Sequence, residues 1–246
     1  MTTSFHISLL VLTILFLSCN GQTASNNSNQ RRQDTLNHSK TTEDKKKNPI
    51  DYVKNYNGQN NKLFVLVGQK ISVDALPYRE GSMDGGFKGK YKILQKVFGN
   101  FPEDTIEFVA YDHYGTPPFS QFDNVLLFVS ADSGTYYHQK YMYNDVYLTK
   151  EGKWAGSYAE EDYGHDYNKK TKVKPVIINF AKEVSYPTKI IWADSQVVTR
   201  SYPKKYFKTI GDRAIAVYGN YVEDLFILKR DGYLTARGIF KDGKLQ

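Results

Sequence analysis

The chain predicts an α+β fold that is mostly β: a small antiparallel barrel or sandwich, followed by further strands and a C-terminal amphipathic helix. Short apolar or alternating runs recur between residues 62 and 158, separated by Gly, Pro and Asp, which is the pattern of closely spaced strands. A helical stripe appears only after residue 213. Residues 50–246 are numerous enough to bury a core as one large or two small domains.

Taken in order, Ile7 to Leu17 (ISLLVLTILFL) has the length of a signal-peptide core and falls short of the roughly 20 apolar residues that span a bilayer. Leu17-Ser18-Cys19 then resembles the lipobox of bacterial lipoproteins. The resemblance implies cleavage before Cys19, acylation of its sulfur and attachment to a membrane. Phe16 stands where that motif usually has Leu, and residues 1–6 carry no Lys or Arg. Asn20 after the cysteine, in place of the Asp that implies inner-membrane retention in such proteins, points to the outer membrane, facing the periplasm. Cys19 is the only cysteine. An acylated Cys19 leaves the mature chain without thiol nucleophile, disulfide or cysteine metal ligand. Residues 1–18 are thus expected to be a signal peptide. Residues 19–49 are then the lipidated cysteine and a polar tether, whose only apolar side chains after the cysteine are Ala24 and Leu36. As a flexible coil it reaches about 30 Å.

Residues 50–158 form the predicted β-rich domain. Lys62 to Val73 gives two apolar runs around Gly68, Gly89 to Val97 and Thr105 to Tyr111 alternate, and Val125 to Ser130 (VLLFVS) suits a buried strand. Tyr136 to Leu148 and Lys153 to Tyr158 flank a hairpin turn at Thr149-Lys150-Glu151-Gly152. Val67-Gly68 through Ile71-Ser72, Tyr91-x-Ile93 to Val97-x-Gly99, and Val125 to Val129 together resemble the netrin-like, OB-barrel domains. That likeness implies a barrel. The family's cysteines, including the N-terminal pair behind metalloprotease inhibition, are absent, so inhibition of a secreted enzyme would rest on barrel shape alone.

Residues 159–175 read as an acidic and basic connector, and residues 176–246 as a basic α+β part packed on the sheet. Val176 to Phe180 and Lys189 to Ala193 look like strands. From Ala214 apolar residues pair at 214/215, 217/218, 221/222 and 225/226, which predicts a single helix capped by Thr209-x-x-Asp212 and ended by Gly232.

The net charge of +7 is uneven: residues 51–158 hold 11 basic against 12 acidic side chains, and residues 171–246 hold 14 against 7. For an exported protein the partners implied are anionic lipids, envelope proteins or glycans rather than nucleic acid. The sharpest basic patch, Arg200 to Lys208, offers Lys204, Lys205 and Lys208 among aromatics. Tyr137, Tyr141, Tyr143 and Tyr147 share one parity, so a regular strand would set them in a row suited to a sugar or peptide. An enzyme would be a metal-dependent hydrolase drawing on Asp112, His113, His138 and His165. Yet no two of these histidines have ligand spacing, and they read as exposed loop residues. No motif calls for a cofactor. The function that best fits is a non-enzymatic, lipid-anchored envelope protein whose β-rich domain binds a protein partner or a polysaccharide.

Overall fold

Apolar runs without alternation need cover on both faces, and two strands of this chain receive it. The computed structural model describes residues 63–77, 80–191 and 197–246. Cys19, the apolar stretch before it and the tether after it lie outside the described residues. Five strands close a barrel in the order β1 (Leu63–Ala75), β2 (Gly85–Phe98), β3 (Thr105–Asp112), β5 (Thr135–Asp145) and β4 (Asn124–Asp132), with β4 returning to β1. Every pairing is antiparallel except that of β3 with β5. Phe64, Leu66, Tyr91, Phe108, Val125 and Leu127 fill the interior. The alternate residues Leu63, Val65 and Val67 of β1, with Leu126 and Phe128 of β4, face outward and are buried all the same. Their cover comes from the C-terminal part, through Leu225, Phe226, Leu234 and Phe240. Each such side chain contributes about 1.5–3 kcal/mol by leaving water.

The described residues that follow β5 build a second layer. β6 (Tyr147–Leu148) and β7 (Trp154–Ser157) form the expected hairpin, with Gly152 donating to the Thr149 carbonyl at 3.0 Å. The pair joins β8 (Val176–Ile177) and β14 (Tyr218–Tyr221) in a sheet ordered β6-β7-β14-β8. Residues 147–157, grouped with the barrel by sequence, therefore hydrogen-bond with the C-terminal part. Between β7 and β8 the connector holds the short helix α1 (Glu160–Gly164). Further on come β9 (Ser185–Pro187), the hairpin β10 (Lys189–Ile191) with β11 (Val197–Thr199), and β12 (Phe207–Ile210) with β13 (Arg213–Ala216). β12, β13 and β9 form one small sheet, whose Phe207, Ala214 and Ala216 pack with Ala155, Ile178, Phe180 and Val184.

The C-terminal helix is present but shorter than the stripe. α2 spans Val222–Lys229 and continues as a π-helical turn through Leu234. Residues 213–216 and 218–221 are strands instead, and Gly211-Asp212 is the two-residue turn between paired Ile210 and Arg213 rather than part of a helix cap. The sequence mimics a helix because Ala214 and Ala216 alternate inward, and the bend at Val217 then shifts the inward face by one residue. Gly232 lies inside the π-turn and does not end the helix. A final hairpin, β15 (Phe240–Lys241) with β16 (Lys244–Leu245), closes over the barrel wall.

Candidate functional site

A cleft of about 580 Å³ opens where the second half of β5 meets the second layer. Its origin is a break in β5. Leu127 pairs with Tyr143 and Val129 with His138, so the barrel partner advances two residues while β5 advances five. Tyr141 takes up the excess at φ 65°, a left-handed conformation that costs a non-glycine residue about 1 kcal/mol or more. Tyr141 swings into solvent while Met142 turns into the core. The bulge is pinned from outside: Arg237 donates to Gln139 Oε1 at 3.2 Å and to the Lys140 carbonyl at 2.8 Å.

Aromatic rings line the cleft, notably Tyr141, Tyr143, Tyr158, Tyr186, Tyr202 and Tyr233. Tyr158 stacks on Tyr206 with ring centroids 3.8 Å apart and on Tyr163 at 5.2 Å, so that wall is rigid. Tyr186 donates to Asp145 Oδ2 at 2.5 Å, and Tyr147 donates to the same oxygen at 2.8 Å. With its proton so committed, Tyr186 Oη accepts from Ser157 Oγ at 2.8 Å. Burial, followed by the charge of Asp145, pushes both phenols well above their ordinary range. They stay protonated at any physiological pH. The Ser157–Tyr186–Asp145 chain fixes donors and acceptors in place.

The floor carries a buried ion pair. Lys229 Nζ bonds Asp162 Oδ1, both residues being about 95% inaccessible, and Asn144 Nδ2 donates to Asp162 Oδ2 at 3.1 Å. Asn168 Nδ2 reaches the Asp162 carbonyl at 2.6 Å. Asn144 Oδ1 is buried beneath the cleft without a hydrogen-bond partner among the described residues. Glu160, Glu161, Arg200, Ser201 and Arg237 complete the polar lining.

Of the four tyrosines aligned by parity, the structure brings only Tyr141 and Tyr143 into the cleft; Tyr147 stands behind it on Asp145. Tyr137 lies before the bulge and is buried, 8% exposed, so the single row does not exist. Lys204, Lys205 and Lys208 are exposed and lie outside the cleft lining, although Arg200, Ser201, Tyr202 and Pro203 from the same stretch enter it.

The histidines do not assemble. His113 is exposed, its Nδ1 2.9 Å from the Met83 carbonyl and 3.4 Å from Asp84 Oδ1. His138 is no loop residue: it is buried on β5 against Phe119, with Nε2 3.0 Å from the Met142 carbonyl. His165 accepts from the Tyr167 amide at 3.3 Å and packs on Tyr233. Asp112 is buried and accepts from the Tyr114 amide at 2.8 Å. Among the described residues no group of three or more His, Cys, Asp or Glu side chains is placed to hold a metal ion.

Sequence spacing missed Asp145, Ser157, Asp162, Tyr186 and Lys229 as site residues because five separate segments bring them together. The usable signal was composition: 20 tyrosines in 246 residues. Compared with known proteins, the chain matches no family model, no curated protein and no solved structure.

Proposed function

We propose that this chain is a lipid-anchored protein of the bacterial cell envelope, held at Cys19, whose tyrosine-lined cleft binds a glycan without chemically altering it. The observation that carries the binding half is the cleft itself: stacked phenol rings with carboxylate, hydroxyl, amide and guanidinium groups at their edges. Sugar rings present apolar faces and hydroxyl rims, and such walls complement both. The protonated tyrosines support recognition over acid–base work. The strand order β1-β2-β3-β5-β4 fits the five-stranded OB-type barrel, a scaffold that hosts oligosaccharide sites. The cleft, however, lies at the β5 bulge. The anchor rests on the apolar stretch before Leu17-Ser18-Cys19 and the polar segment after it.

Titration calorimetry of the protein against soluble fragments of cell-wall glycan and outer-membrane polysaccharide tests the cleft. Tyr143→Ala and Tyr158→Ala should each weaken binding by about tenfold, the value of one lost aromatic platform. Absence of binding to every glycan, or binding unchanged in both variants, would refute it. Palmitate labelling in cells, lost in Cys19→Ala, tests the anchor.

A further inference from the structure

The end of the second layer beyond the cleft combines exposed aliphatic side chains with clustered cations. In the hairpin β10–β11, Ile191 pairs with Val197 and Ile190 with Val198, so apolar residues sit on both faces of a two-stranded ribbon. Ile191 is 74% exposed and Val197 60%. The base of the hairpin is joined to the turn of β12–β13: the Thr188 amide donates to the Asp212 carbonyl at 2.8 Å, and the Arg200 amide to the Thr188 carbonyl at 2.8 Å. That turn is flanked by Ile210, 53% exposed, cross-strand from Arg213. Two residues back, on the same face, Lys208 stands opposite Ile215, while Phe207 points inward to the core.

Charge here is one-sided. By sequence, residues 185–215 carry six basic side chains, Lys189, Arg200, Lys204, Lys205, Lys208 and Arg213, against two acidic, Asp194 and Asp212. Aliphatic residues projecting from a ring of cations match the two zones of an anionic bilayer surface: acyl carbon below, phosphate at the rim. A soluble polyanion would engage the cations and leave Ile191 and Val197 in water.

We propose that the β10–β11 hairpin and the outer face of β12–β13 dock on an anionic lipid bilayer, with the aliphatic residues entering the headgroup region and the cations meeting lipid phosphates. This contact lies beside the glycan cleft, with Arg200 at the border of the two, and does not depend on any acyl anchor. It would orient the domain on the membrane.

The test is co-sedimentation of the full chain with vesicles of phosphatidylcholine alone and of phosphatidylcholine with phosphatidylglycerol in equal parts. The ratio of the two partition coefficients cancels any association through the N-terminal apolar segment. Each cation at such a surface is worth about fivefold, so combining Lys189→Gln, Lys204→Gln and Lys208→Gln should lower that ratio on the order of a hundredfold. The same positions changed to Arg should keep it, and so should Tyr143→Ala in the cleft. In the unaltered chain, amide exchange at residues 189–191 and 197–199 should slow when phosphatidylglycerol vesicles are added. A ratio near one for the unaltered chain, an unchanged ratio in the Gln variant, or unaltered exchange overturns the proposal. Loss of binding to soluble polygalacturonate with vesicle binding intact would also overturn it, assigning the patch to a glycan. Because Tyr143→Ala alters the cleft and leaves Lys189, Lys204 and Lys208 in place, failure of either reading leaves the other measurable.

Discussion

His138 shows what burial does to a titrating group that the sequence places in an aromatic run. Enclosure between Phe119 and Phe108 strips water from the ring, and this desolvation lowers its pKa to about 3 against the hydrogen bond to Met142, which acts the other way. The folded state therefore refuses a proton that the unfolded chain accepts below about pH 6.5. Stability contributed by the neutral ring is complete above that pH. It falls by up to about 1.4 kcal/mol per pH unit as pH drops toward 3. Urea unfolding at pH 7 and pH 4 should show this loss, and His138→Gln should remove most of it. The pair Asp162–Lys229 makes a second residue-scale case. Lys229→Met should destabilise by about 3–5 kcal/mol because it strands a buried carboxylate, whereas adding Asp162→Leu should recover much of that in thermal melts. Neither role was legible locally. Nothing in the run Tyr136-Tyr137-His138-Gln139-Lys140 says which way the imidazole faces, and Lys229 has the place of an ordinary last-turn cation.

β5 decides the site among the elements. A regular strand through residues 135–145 would keep Tyr137, Tyr141 and Tyr143 on one face, and the bulge at Tyr141 is what separates them. Arg237 reaches back to hold that bulge, so Arg237→Ala should cost about 1–2 kcal/mol and weaken glycan binding at the same time. Calorimetric titration and denaturant melts on one sample check both. Strand patterning was readable where burial is simple: Leu63 to Val67 and Val125 to Ser130 are continuous because the barrel interior and the C-terminal cover take opposite faces. It misled where alternation was interrupted, since Ala214 to Val222 imitates helical spacing across two strands and a bend. The bulge leaves no mark in the sequence because a left-handed tyrosine is a product of tertiary contacts.

The outer wall of the barrel is covered by α2 together with the segment that follows it, through Val222, Leu225, Phe226, Leu234, Ile239 and Phe240. Phe226 stacks on Phe98 of β2 at 4.8 Å, and Leu225 packs with Val65 and Phe128 on the outer wall. Removing residues 222–246 would expose that wall, so the shortened chain should lose the cooperative unfolding transition of the intact protein in differential scanning calorimetry. The barrel as a fold class was readable from the sequence because its signal is spread over many short runs. Its cover was readable as an amphipathic helix packed on the sheet, but not which barrel strands that helix would meet. β14 runs straight into α2 at Tyr221–Val222 with no intervening loop. The residues that complete the second sheet and those that shield the barrel thus leave the ribosome together, after all five barrel strands. Until they emerge, the outer wall is a natural landing place for chaperones. A nascent chain halted before residue 222 would present that wall to the cell's proteases, which gives quality control a direct way to tell a finished molecule from an interrupted one.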